Sequence, residues 1–278
     1  MTTSVLLMTC PDEPGLIAHL STCLHEHSQN IVTLWEYVCP ENQRFFLRVE
    51  FDGHDKHKVL EAALKKRLPK ATQLFFKEHR KKRLVLMATK EPHCLGEILL
   101  RATHGDLNGE VVAVVANHDV LRPLVDRFGI PFHCVSAEGK TRVEHEHELL
   151  RQISRYSPDF VVLAKYMRIL SEQFVAQYYN RVINIHHSFL PAFAGAKPYQ
   201  QAFERGVKII GATAHFVNEQ LDDGPIIVQN VTHVDHSHTA DDMAKAGRDV
   251  EKTTLAQALD LVLDDRVMVN GRKAVVFA

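Results

Sequence analysis

Apolar and polar positions in the first eighty residues follow two rhythms. Runs at 4–8, 31–38, 44–51 and 72–76 alternate or are continuously apolar, which predicts strands, whereas about 15–27 and 56–67 repeat with helical spacing. In the first helical interval Leu16, Ile17, Leu20, Cys23 and Leu24 form one stripe, and Pro14 and Gly15 stand where a strand must turn into it. The order βαββαβ predicts two helices on one face of a small antiparallel sheet, a ferredoxin-like domain over 1–80. The basic stretch KEHRKKR, 77–83, has no apolar period and reads as a solvated linker.

From residue 84 to 278 the rhythm changes. Short, continuously apolar strands at 83–88 (RLVLMA), 111–117 (VVAVVAN), 160–164 (FVVLA) and 182–186 (VINIH) are separated by helix-length segments. That pattern predicts an α/β domain, doubly wound and Rossmann-like, with a mostly parallel sheet covered on both faces. Residues 211–234 read as two more strands joined by a polar turn. A helix at about 239–263 and a hairpin around Asn270 and Gly271 follow.

Composition adds mainly exclusions. A hydrophobic fraction of 45% with 24% charged residues is that of an ordinary globular chain. Lys+Arg 33 against Asp+Glu 34 leaves no basic field for nucleic acid or an anionic membrane. No apolar run approaches the roughly 20 residues of a membrane helix, and the first residues lack a secretory pattern, so a cytoplasmic protein is expected. The cysteines Cys10, Cys23, Cys39, Cys94 and Cys134 are scattered and odd in number, which predicts free thiols. In HEHEL, His145 and His147 lie two apart on a helix and point about 200° apart, so no metal site is expected there.

Ligands of doubly wound sheets collect at the carboxyl ends of strands, which directs attention to VINIHHSFLPAF at 182–193. Asn184 and His186, two apart on one strand, project to the same face. Asp222 sits in a turn made by Leu221, Asp223, Gly224 and Pro225, a composition that aims a carboxylate. An amide donor, an imidazole and a carboxylate suit acyl or formyl chemistry, in which donors hold a developing oxyanion and the ionisable pair moves protons. Asn and His at a strand exit are also turn formers, so on these residues alone a structural role stays open. Ser188 lacks a G-x-S-x-G elbow, and TKEPHCLGE after the first α/β strand holds no glycine-rich phosphate loop.

NIHHSFLPAFAGAKPY and GATAHFVNEQLDDGPII resemble the formyltransferase family that handles 10-formyltetrahydrofolate, over about 84–278. The resemblance places that family's catalytic Asn, His and Asp on Asn184, His186 and Asp222, and its supporting histidine on His215. Its folate pocket is lined by a segment similar to VVLAKYMRILS, which implies Met167, Arg168 and Leu170, with Asn218 beside Asp222. CPDEPGLIAHLS and QNIVTLWEY resemble an ACT domain, a module that often binds amino-acid effectors, with Asp12, Gly15 and Asn30 at the matching positions. An ACT module before such a domain is the arrangement of formyltetrahydrofolate deformylases. That resemblance implies hydrolysis of 10-formyltetrahydrofolate to formate and tetrahydrofolate, balancing the one-carbon pool that feeds purine synthesis. It also implies no cofactor besides the folate substrate, and a homo-oligomer. Where transferases carry a phosphate-holding turn this chain has TKEPHCLG, and His187 stands where they usually have Pro. The small residue Ala194 in PAFAGAKPY is a further departure from the family's pattern. Two other readings remain: transfer of the formyl group to an amine, and an inactive regulator that binds folate and an amino acid.

Overall fold

The first strand, β1 (Thr3–Pro11), is apolar on both sides because both sides are covered. It is followed by α1 (Leu16–Glu26), β2 (Ile31–Cys39), β3 (Arg44–Asp52), α2 (His57–Lys65) and β4 (Gln73–Lys77), the expected βαββαβ order. The structure is a computed structural model that describes residues 3–53, 57–77, 80–191 and 198–277. Ala194 and residues 78 and 79 of the basic stretch lie outside the described residues.

The four strands pair antiparallel in the order β2-β3-β1-β4. Strand alternation sends Leu6, Met8 and Cys10 against Leu16, Leu20, Cys23 and Leu24 of α1 and Leu60 and Leu64 of α2. Each such apolar side chain contributes roughly 1.5–3 kcal/mol on full burial. Ile17, grouped with this stripe in the sequence, is 38% exposed, because a step of one residue turns it about 100° from Leu16. Gly15 caps α1 at φ +94°, a left-handed conformation that residues with a Cβ avoid. The alternate face, with Leu7 and Phe46, packs with Met268, Val275 and Phe277 from the end of the chain.

The second sheet begins with β5 (Lys82–Ala88), α3 (His93–His104), β6 (Gly109–Ala116), α4 (Arg122–Asp126), β7 (Phe132–Cys134) and α5 (Arg142–Ser154). It continues with β8 (Phe160–Leu163), α6 (Glu172–Gln177), β9 (Val182–His186), α7 (Pro198–Glu204), β10 (Ile209–Phe216), β11 (Ile226–His233) and α8 (Ala240–Leu263). The strand order is β11-β10-β9-β8-β5-β6-β7, parallel from β9 to β7 and antiparallel at β10 and β11. Three-residue β7 has no counterpart in the sequence reading; it is too short, and too polar at His133, to leave a periodic trace. Val85, Met87 and Val161 pack with Leu149, Ile153 and Phe174 on one face, while Leu84 lies toward Leu263 of α8 on the other. The chain runs outward from β5 to β7 and returns beside β5 with β8, so the strand order reverses between β5 and β8.

The chain closes with β12 (Val267–Asn270) and β13 (Lys273–Val276), joined through Gly271 at φ +60°. Two compact units result: the chain up to Arg80 together with Asp265–Asn270 and the residues from Val275 on, and Lys81–Asp264 together with Gly271–Ala274. The sequence places the terminal hairpin in 84–278, whereas most of it groups with the first unit because Met268, Val275 and Phe277 cover that unit's sheet. In α5 the ring of His145 is buried and its Nε2 donates to the Val135 carbonyl at 2.9 Å, while His147 is exposed; the two rings share no ligand. All five cysteines are free thiols. Among the described residues no helix is long and apolar enough to cross a membrane.

Candidate active site

β9 lies between β8 and β10, with Asn184 level with Leu163 on one side and His215 on the other, and His186 level with Thr213. Period-2 alternation puts Val182, Asn184 and His186 on one face. Val182 joins the core, and the two polar residues follow it at the carboxyl end of the strand.

His215 Nδ1 donates to the Phe216 carbonyl at 2.8 Å, so the neutral ring offers its Nε2 lone pair to Asn184 Nδ2, 3.3 Å away. Burial pushes the His215 pKa down, outweighing the Phe216 carbonyl and the Asp222 charge, which act the other way. An uncharged His215 thereby fixes the amide so that its second N–H remains for a ligand.

The turn from β10 to β11 delivers the carboxylate. Phe216 N–H donates to the Pro225 carbonyl at 2.9 Å, closing the turn. A Cβ on Gly224 would stand 1.7 Å from the Phe216 carbonyl oxygen, so only glycine fits there. Asp222 takes φ +55°, which an aspartate tolerates better than most residues. Its Oδ2 lies 3.2 Å from His186 Nδ1, and its Oδ1 lies 3.8 Å from His215 Nε2. Burial acts to raise the Asp222 carboxyl, but the His186 hydrogen bond and the nearby imidazoles outweigh it and hold the pKa below the usual carboxylate range. The carboxylate is ionised at neutral pH. His186 Nε2 is buried with no protein partner.

These four side chains line one cavity of about 390 Å³. Met167, Arg168 and Leu170, from the loop after β8, and Asn218, from the turn, line it too. All eight residues singled out in the second domain therefore meet at one site. Lys165, Tyr166 and His187, to which the sequence reading gave no role at the site, also line the cavity. Lys165 is a buried cation at φ +63°, and its partner is Glu251, at 3.1 Å. A signal for that pair existed: Glu251 falls on the buried stripe of α8, between Gly247 and Leu255.

Among the described residues one cluster of metal-ligating groups, His93, Cys94 and Glu251, has its ligand atoms within 4.8 Å of one another. Two of its donors, His93 Nε2 and the Glu251 carboxylate, are already engaged. His93 Nε2 lies 2.7 Å from Glu251, Lys165 competes for the same carboxylate, and burial keeps the Cys94 thiol protonated.

The three effector positions do not meet within one chain. Asp12 and Gly15 follow β1 at the end where Pro11 pairs with Arg44, and Asp12 N–H donates to the Gln43 carbonyl. Asn30 precedes β2 at the opposite end, where its carbonyl accepts from Asp52 N–H. Eight residues of strand separate these ends, about 26 Å at 3.3 Å per residue.

The fold and the cavity place the second unit in the formyl transferase class: residues 82–259 match the family model of that description. A formyltetrahydrofolate deformylase from Haemophilus influenzae is 55% identical over 272 residues, covering 98% of each chain. One from Escherichia coli is 52% identical, covering 98% of this chain and 97% of that protein. The crystal structure of a formyltetrahydrofolate deformylase from Pseudomonas syringae superposes with a TM-score of 0.95 at 39% identity, covering 99% of this chain and 94% of that one. The chain belongs to the formyltetrahydrofolate deformylase family.

Proposed function

We propose that this chain hydrolyses 10-formyltetrahydrofolate to formate and tetrahydrofolate, with Asn184, His186 and Asp222 as its catalytic residues. The observation that carries the reading is the pairing of His186 Nδ1 with Asp222 Oδ2 at 3.2 Å, beside the Asn184 amide, on the wall of a cavity of about 390 Å³. Water adds to the formyl carbon and passes a proton to Asp222. The oxygen that becomes negative accepts the free N–H of Asn184. The carbon–nitrogen bond then breaks as His186, held by the adjacent Asp222 carboxylate, delivers a proton to the departing nitrogen. His215 acts through Asn184 as a positioning residue. Met167, Arg168, Leu170 and Asn218 are read as the folate-binding wall, with Arg168 supplying a cation for an acidic ligand.

The chemistry needs water and the folate substrate, and no further cofactor enters it. The first unit is read as a regulatory ACT domain for an amino acid, in a cytoplasmic enzyme. Because Asp12 and Gly15 stand about 26 Å from Asn30 along the sheet, that reading requires a second copy to supply Asn30, which ties it to the expected homo-oligomer. Purified protein mixed with 10-formyltetrahydrofolate in plain buffer tests the enzymatic reading: formate and tetrahydrofolate are expected to appear together. Product that appears only when an amine acceptor is added would assign the chain to transfer instead.

A further inference from the structure

Behind the pair formed by His186 and Asp222 lies a second set of buried polar groups that the reaction as written does not use. The ring of His187 stacks on that of His186, with centroids 5.0 Å apart and planes 15° from parallel. On its far side His187 meets Tyr199, at 6.4 Å and 44°. The Tyr199 hydroxyl donates to Glu251 Oε1 at 2.5 Å, and the other oxygen of that carboxylate receives His93 Nε2 at 2.7 Å and Lys165 Nζ at 3.1 Å. Glu251 is 1% exposed. Burial opposes its charge, but the His93 hydrogen bond, the Lys165 charge and the Tyr199 hydrogen bond prevail and hold its pKa at about 2.

The chain makes room for this arrangement at two places. A Cβ on Gly247, one turn before Glu251 on α8, would stand 2.1 Å from the Tyr199 hydroxyl oxygen, so a larger residue there has to displace the Tyr199 ring. Lys165 is held in the left-handed region, a strained conformation for a long side chain that persists only where its surroundings impose it. Four segments, the start of α3, the loop after β8, α7 and α8, thus converge on one carboxylate next to the catalytic cavity.

We propose that Tyr199 is a positioning residue for the deformylation: it ties the stacked His187–His186 pair to the fixed Glu251–Lys165 ion pair, so that the ring facing Asp222 is held from behind. The proposal rests on the deformylase reading above. Hydrogen bonding to Asp222 fixes one edge of His186 but leaves the ring free to tilt about that bond, and the stack removes this freedom. Lys165, His186, Glu251 and Asp222 are the charged and titratable groups that act on His187. Burial first, then the cation of Lys165, lowers its pKa to about 4, so that His187 is uncharged at neutral pH.

Among the described residues Tyr199 is not one of those lining the cavity, which separates its effect from substrate binding. Tyr199→Phe keeps the ring and removes the hydroxyl; kcat for formate release is expected to fall about tenfold with KM for 10-formyltetrahydrofolate unchanged. Gly247→Ala, which favours the helix but displaces Tyr199, is expected to give the same split. Lys165→Met frees His187 to protonate at higher pH, so the acid limb of kcat moves upward, whereas Lys165→Arg restores the wild-type profile. Wild-type kcat in folded Tyr199→Phe and Gly247→Ala overturns the proposal. If either variant does not fold, identical acid limbs in Lys165→Met and Lys165→Arg overturn it. Formate release by the unsubstituted protein, followed in the same assay, tests the deformylase reading separately.

Discussion

Asp222 carries the most specific expectation at the scale of single residues. Its carboxylate contacts His186 and faces His215, and it is ionised because those imidazoles outweigh its burial. Asp222→Asn preserves the shape and removes the charge; kcat for formate release is expected to fall by roughly 10² to 10⁴, while circular dichroism stays unchanged. Asn184, His186 and Asp222 were legible because period-2 alternation and turn composition leave traces in a linear sequence, whereas His215 was reached only through the family resemblance. His187 was visible only as a departure from the family pattern. What it touches, the rings of His186 and Tyr199, depends on contacts across the fold that no spacing encodes. Lys165 is a sharper case: left-handed backbone at a lysine has no sequence signature, so it read as an ordinary residue of a folate-lining segment.

At the scale of elements, two features should control whether the site assembles. In the turn between β10 and β11, Gly224→Ala drives a Cβ into the Phe216 carbonyl, 1.7 Å away in the present geometry. The turn must then open and carry Asp222 away from His186. Loss of activity together with a lower melting temperature is expected, in contrast to Asp222→Asn. In α8, the pKa of Glu251 is held at about 2 against an ordinary value of 4.5. A depressed carboxyl stabilises the fold above its unfolded pKa, and the contribution is lost as pH falls through the folded one. Stability on the order of 3 kcal/mol is therefore expected to vanish between about pH 4.5 and pH 2. Acid titration followed by urea unfolding checks this, since Glu251→Gln should flatten that part of the profile. The long elements were readable because their apolar periods run for many residues. β7 and the short helices α4 and α6 were not, since each lasts no longer than the local noise of the pattern.

At the scale of the whole molecule, the order of strands was implied by short parallel strands alternating with helices, but the division of the last residues was not. Met268, Val275 and Phe277 are three apolar residues in a hairpin, a pattern that does not say which sheet they cover. Deleting the chain from Asp265 onward removes that cover from Leu7 and Phe46, at a cost of roughly 5 kcal/mol or more, and recovery of soluble protein is expected to drop sharply. The same hairpin constrains how the polypeptide matures. A ribosome releases the βαββαβ segment long before it finishes the codons for Phe277, so one side of that early sheet stays oily and bare throughout elongation. Completion of that module must await residues translated after the whole of the second sheet, which makes synthesis through Phe277 a condition for its final form.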